Sequence, residues 1–395
     1  MVLPHIDFLA GASASLQRGS STYVDKHSDS PILCYTTHCS CLSALTQLHY
    51  SFLRAHAHHQ QAGDEILCAA TSALRTVLTV PRKISRSISA ISVHGLLAAE
   101  FAMDTAELRG PWRAVLPTKL DFEESMPIMW HSSLQELLPP GSLSILENQK
   151  KKISLDWAAV SAAFPDLTYD LYLYNWLLVG TRTFYFTSPK IKKKPLIRDD
   201  CLALIPLADL FNHADVGCEV TFSPSGYKIC ADRDIEMGEE VYISYGSHSN
   251  DFLLVEYGFI LAENRWDQVS LDEIILPLFS EEQKERLREE GFLGKYVLDK
   301  ETTCYRTQVA LKLLCTPVNK WQHLLANGLE GEEKYQKKAD RILLEGLKPY
   351  LESVEEKIKL VGILDSGLES QRDTLTRRWK QVHQLLAAAM SRIEN

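Results

Sequence analysis

Three short segments between residues 206 and 259 hold the residue types and spacing from which chemistry could be built. In Pro206-Leu-Ala-Asp-Leu-Phe-Asn212-His213, two polar residues follow directly on an apolar, strand-like run. Backbone groups there can be left free to receive a ligand, although Asn and His form turns equally well at such a place. Asp234-Ile-Glu-Met-Gly238-Glu239-Glu240 supplies a turn, and Val241-Tyr-Ile-Ser-Tyr245-Gly246 a strand ending in an aromatic hydroxyl. Tyr257-Gly-Phe brings a second tyrosine 12 positions after the first. Each segment alone is ordinary turn or core sequence; the ordered combination is far more specific.

Other polar clusters are weaker. Cys34, His38, Cys39 and Cys41 invite a zinc reading, but no second pair at ligand spacing accompanies them, as a four-coordinate site needs. No metal is expected. His56, His58 and His59 read as a polar loop or helix face, and Lys150-Lys-Lys as a solvated face. The lysine-rich run from Lys190 to Pro195 reads as a mobile loop.

The elements that must position these residues follow from pattern. Apolar pairs in Ile66 to Val80 predict two short buried strands closed by Pro81. From about residue 84 to 186 the apolar positions recur at three and four, as in His94 to Met103 and Asp170 to Val179, which predicts helices. Prolines, glutamates and Trp130 between Asp121 and Pro140 predict a surface loop. Residues 202–260 predict strands at Leu202-Ala-Leu-Ile-Pro, Glu219-Val-Thr-Phe, Tyr227-Lys-Ile-Cys-Ala and Glu240-Val-Tyr-Ile-Ser-Tyr. After Arg265 the sequence turns charged and helical, without a heptad long enough for a coiled coil.

A chain of 395 residues exceeds what one hydrophobic core usually serves. Hydrophobic content of 45% and charged content of 24% are those of a soluble globular protein, with no apolar run able to span a bilayer. A net charge of -9 argues against a general nucleic-acid binder and for a basic protein or peptide partner. Met1 to Ser20 lack the features of a secretory leader, which assigns the chain to a reducing compartment, cytoplasm or nucleus, and its nine cysteines to thiols.

Taken together, the segments around Asn212-His213, Gly238-Glu239-Glu240, Tyr245-Gly246 and Tyr257-Gly-Phe resemble the SET-domain protein lysine methyltransferases. The class is that of the plant Rubisco large-subunit methyltransferase, with its helical insertion and helical substrate-binding domain. The resemblance covers roughly residues 76–395 and is strongest over 176–260. It implies an α+β architecture: a poorly defined N-terminal segment over 1–62, then a β-rich SET domain with a pseudoknot over 63–264. A helical insertion occupies about 84–200 of that domain, and an all-α substrate-binding domain occupies 265–395.

It further implies a protein-lysine N-methyltransferase using S-adenosyl-L-methionine, with a lysine-bearing protein as partner and neither nucleic acid nor membrane. Ribosomal or translation proteins lead as substrates; a histone, or a SET-fold scaffold without activity, stand as alternatives. By the same resemblance Arg182, in Val179-Gly-Thr-Arg-Thr-Phe, pairs with the cofactor carboxylate, Asn212 and His213 contact the cofactor, and Asp209 is a structural partner. Tyr245 lies beside the transferring methyl, and Tyr257 forms the other wall of the lysine channel and favours lysine over histidine as acceptor. Arginine suits its task, since a planar, permanently charged fork binds a carboxylate in two places.

The match departs from the class at its start, where a Gly-x-Gly segment is usual. Here Gly63-Asp-Glu65 keeps the first glycine and puts a negative side chain in place of the second, which is unfavourable near a cofactor carboxylate.

Overall fold

A computed structural model of the protein describes residues 59–104, 110–187, 201–223, 226–328 and 333–394. The cluster of Cys34, His38, Cys39 and Cys41 lies outside the described residues, as do His56, His58 and the lysine-rich stretch 190–195. Two compact units are present, one of residues up to Phe122 with Lys151–Ser247, the other of Glu123–Lys150 with His248–Asn395.

Among the described residues the first unit has seven strands: β1 (Glu65–Ala70), β2 (Arg75–Thr76), β3 (Thr183–Tyr185), β4 (Leu202–Leu204), β5 (Asn212–Ser223), β6 (Gly226–Cys230) and β7 (Tyr242–Ile243). They form a four-stranded sheet in the order β1-β6-β5-β7 and a three-stranded one in the order β2-β4-β3. Alternation drives the central hairpin. Glu219, Thr221 and Lys228 face solvent, while Tyr227 and Ile229 enter a core with Leu67, Leu74, Ile205, Phe211 and Ile243.

The exception to antiparallel pairing in the first sheet positions the site. β7 runs parallel to β5, with Asn212 opposite Tyr242 and Ile243 opposite both His213 and Cys218. So close an approach needs a residue without a side chain: a Cβ on Gly217 would stand 2.6 Å from the Tyr242 carbonyl oxygen.

Helices α1 (Val93–Met103) and α3 (Tyr169–Arg182) pack against each other, with the later part of α2 (Pro140–Ala163) tied to both. The tie is the buried Asp156 carboxylate on α2. It accepts from the backbone N–H and hydroxyl of Ser92 at 3.0 and 2.7 Å and from the Trp176 indole at 3.2 Å. Ser92 in turn caps α1 by accepting from the Gly95 N–H. The helices before β3 are thereby fixed where Arg182, the last residue of α3, emerges.

The second unit is mainly helical: α4 (Asn250–Tyr257), α5 (Glu281–Glu289), α6 (Tyr305–Cys315), α7 (Val318–Ala326), α8 (Glu333–Ile363) and α9 (Glu369–Glu394). Buried residues of α9, Leu375, Trp379, Val382, Leu386 and Ala389, recur at four and three, the stripe that lets it pack along α8. At its heart Arg378 is fully buried, donating from Nε to Asp251 at 2.9 Å and from an Nη to Asp267 at 2.7 Å.

The structure departs from the sequence reading in several places. Trp130 is not in a surface loop: it is buried, and its surroundings fold as short helices Lys119–Ser125 and Ser132–Gln135, with Leu134 and Leu138 joining the core of the second unit. Prolines there start turns of helix. That packing also places 123–150 with the second unit and starts its later part at His248, whereas the sequence boundary is at 265. A two-stranded antiparallel sheet of β8 (Gln268–Ser270) and β9 (Val297–Asp299) stands in the segment expected to be all helical. The second early strand is only Arg75–Thr76, and the strand expected to reach Tyr245 ends at Ile243.

Candidate functional site

His213 and Tyr245 form the best-ordered pair of the expected site. His213 is buried on β5, and its Nδ1 accepts the Tyr245 backbone N–H at 3.0 Å, which puts the proton of a neutral imidazole on Nε2. The two rings stack with centroids 5.0 Å apart at 26°. The Tyr245 hydroxyl donates to the Phe211 carbonyl at 2.7 Å. With its hydrogen so directed, the phenolic oxygen presents its remaining lone pairs as acceptors.

Asn212 begins β5 beside that pair. Its side-chain amide donates to Glu240 at 2.5 Å, and the Tyr242 hydroxyl donates to the other Glu240 oxygen at 2.7 Å. That hydrogen bond, with some burial, pushes the Tyr242 hydroxyl up to about 12, so it stays a donor at physiological pH.

Arg182 meets a carboxylate of its own chain. One Nη donates to the Asp209 carbonyl at 2.7 Å and pairs with Asp209 Oδ2 at 3.1 Å, and the Trp112 indole donates to the same Oδ2 at 3.0 Å. Burial pushes the Asp209 carboxyl above the usual range, with Arg182 and Trp112 opposing it. Arg182 Nε and Asp209 Oδ1 are both buried and have no hydrogen-bond partner among the described residues. Leu207, two positions earlier, holds a left-handed φ of 72°, an unfavoured conformation for a branched side chain, at the turn that delivers Asp209.

Gly63 stands in the turn before β1 with φ of +91°, its N–H donating to Ala231 at 2.8 Å, and nothing lies within 4 Å of where a Cβ would be. Backbone conformation rather than close approach accounts for the glycine. Glu65 pairs with Lys228 across β1 and β6, so its charge is matched locally.

Tyr257 closes α4 in the second unit, where Gly258 in the left-handed region ends the helix. The rings of His248, Phe252 and Phe259 surround it at 6.4, 6.3 and 6.3 Å. Burial, with Glu256 adding, pushes its hydroxyl up to about 12.

Of the residues singled out from sequence, then, Asn212, His213 and Tyr245 are linked through the β5–β7 pairing. Arg182 is joined to Asp209, Gly63 heads β1, and Tyr257 belongs to the second unit. Two contributors were missed. Glu240 reads as the end of a turn and the start of a strand in the Gly-Glu-Glu segment, with no role of its own, although Tyr242 two positions on is what a shared strand face would flag; Trp112 carried no local signal, since it reaches Asp209 across 97 residues.

The fold has known counterparts. A solved structure of Rubisco LSMT bound to AdoMet matches with a TM-score of 0.62 at 17% identity, covering 89% of this chain and 91% of that one. The chain has the SET fold. Another, of the SET domain of LSMT bound to lysine and AdoHcy, gives a TM-score of 0.61 at 16% identity over 89% and 91% of the two chains.

A family model described as the Ribosomal lysine N-methyltransferase 2 C-terminal domain matches residues 267–392, following the SET portion. Among curated proteins, Ribosomal lysine N-methyltransferase 2 of Saccharomyces cerevisiae is 25% identical over 66% of this chain and 65% of its own length. SET domain-containing protein 4 of Mus musculus is 27% identical over 56% and 55%. The chain thus spans between about half and two thirds of the length of these two curated relatives.

Proposed function

We propose that the protein is an S-adenosylmethionine-dependent protein-lysine N-methyltransferase acting on a ribosomal or other translation protein in the cytoplasm or nucleus. The observation that carries this reading is the anchored Tyr245, gripped at its backbone by His213 and at its hydroxyl by Phe211 within a SET fold. The substrate class rests on the relatives' names, ribosomal lysine methyltransferases from two yeasts. No helix among the described residues is long and apolar enough to cross a membrane.

One feature supports the cofactor directly: the buried Arg182 Nε is a donor with no acceptor among the described residues, which suits the carboxylate at an amino-acid end. Asn212 and His213 are proposed to hold the rest, and Gly63 to leave room beside it. When bound, S-adenosylmethionine supplies an electrophilic methyl group on a sulfonium.

The substrate amine titrates near roughly 10.4 in water and must reach the site neutral. Burial and the positive charge opposite both lower that value, and water takes the proton away. With the cofactor held by Arg182, Asn212 and His213, the neutral amine would be placed to take that methyl group, the sulfonium sulfur leaving as a neutral thioether. Tyr245 is proposed to orient this displacement, its acceptor lone pairs receiving the amine N–H or the polarised methyl C–H groups. Tyr257, within the second unit, keeps its hydroxyl protonated, and its part in the reaction is proposed from the sequence resemblance alone. Residues 267–392 are proposed to recognise the protein substrate.

The charge that prompts the scaffold alternative, Glu65, is matched by Lys228 and speaks less strongly for lost cofactor binding. The test is transfer of a radiolabelled methyl group to fractionated ribosomal proteins. Labelling of a discrete band is expected, falling by about tenfold or more in Tyr245→Phe, the worth of one transition-state hydrogen bond. Equal labelling by both proteins would remove Tyr245 from the mechanism, and no saturable cofactor binding by calorimetry would sink the enzyme reading.

A further inference from the structure

Glu240 belongs to no strand or helix and is exposed, yet both of its carboxylate oxygens are engaged, one by the Asn212 amide and one by the Tyr242 hydroxyl. The backbone supports the same grouping. Asn212 and Tyr242 are register partners in the parallel β5–β7 pair, and Glu240 lies two positions before Tyr242.

A carboxylate accepts hydrogen bonds and donates none, whereas a primary amide has one donating and one accepting end. The Asn212 amide is therefore held with its NH2 toward Glu240. Its carbonyl Oδ1 becomes the end available to a ligand. Remove the carboxylate, and nothing named here prefers one orientation of the amide over the other.

We propose that Glu240 is a positioning residue that locks the Asn212 amide so that Oδ1 accepts from the α-ammonium group of the cofactor's amino-acid end. The proposal rests on the cofactor reading above and deepens it. The ammonium is favoured over a neutral donor because the nearby carboxylate favours a cation, while Arg182 suits the carboxylate of the same amino-acid end. Tyr242 holds the second oxygen and keeps Glu240 from swinging into water.

The test uses the whole chain and isothermal titration with two probes, S-adenosylhomocysteine and its analogue carrying hydrogen in place of the α-amino group. The unaltered protein is expected to prefer the parent by about tenfold or more, the worth of one charge-assisted hydrogen bond. In Glu240→Ala and in Asn212→Ala that preference falls to within about threefold, while affinity for the des-amino analogue holds within about twofold. The double variant loses no more than either single one. Tyr242→Phe gives a smaller fall.

Equal weakening toward both probes in Glu240→Ala makes Glu240 a purely structural residue and overturns the proposal, as does a preference left intact. Collapse in Glu240→Ala but not in Asn212→Ala means that the carboxylate meets the ammonium itself, which also overturns it. If the unaltered protein binds neither probe, the cofactor reading fails first and this proposal with it.

Discussion

Two buried arginines, one in each unit, are used in opposite ways. Arg378 is saturated: Nε donates to Asp251, one Nη to Asp267 and the other to the Gln268 carbonyl at 3.2 Å, while Ser142 adds a hydrogen bond to Asp251 at 2.6 Å. Arg182 commits one Nη to Asp209 and leaves Nε, like Asp209 Oδ1, without a partner among the described residues. A guanidinium with a partner for each of its three nitrogens within its own chain serves the fold. One with a buried donor unanswered retains capacity for a ligand, at a cost in stability when that ligand is absent.

The largest expected effect is on the saturated side. Arg378→Ala leaves two carboxylates buried without their cation and should lower unfolding free energy by about 3–5 kcal/mol in urea titrations. A loss below about 1 kcal/mol would place this network among the weak surface pairs and break the comparison. Arg182→Met should cost less, about 1–3 kcal/mol, because the raised Asp209 carboxyl can take up a proton when its cation goes. The same variant should lose about tenfold or more in affinity for S-adenosylmethionine by calorimetry. Full stability loss with unchanged affinity would make Arg182 another Arg378.

Trp112→Phe removes one hydrogen bond from Asp209 and should cost about 1 kcal/mol, with a small drop in cofactor affinity as Arg182 loosens.

The smallest effect is a pH trend. Burial raises the Asp209 carboxyl, so the folded chain holds a proton that the unfolded chain releases near roughly 3.9. The stability this contributes is present below that value and is lost as pH rises through the folded value. Asp209→Asn does not titrate, so its deficit relative to the unaltered protein should shrink as pH rises from about 4. A widening deficit would show that Arg182 outweighs burial.

The parts of this picture legible in the sequence are those with local causes. Alternation in Glu219 to Phe222 and Tyr227 to Ala231 announces the β5–β6 hairpin, and spacing of three and four announces α1 and α3. Tyr245 and His213 are named by their segments and do meet. What escaped is non-local or short. Trp130 was hidden by the prolines around it, the β8–β9 strands are three residues each, and the partner of Arg182, Asp209, lies 27 positions away and is itself held by Trp112 from 97 positions away. The role of Glu240 stayed hidden although its segment was named, because a side chain at a turn–strand junction shows its use only when the amide it holds is in view.

The parallel seam between β5 and β7 also has a kinetic meaning. Its strands are separated along the chain by β6, so closing the seam carries the entropy cost of ordering the residues between β6 and β7 as well. β7 is only two residues long, and its hold on β5 is interrupted between His213 and Cys218. The amides of Tyr242 to Tyr245 should therefore exchange with solvent through local opening, faster than those of β6, and slow markedly when a ligand bridges the two strands.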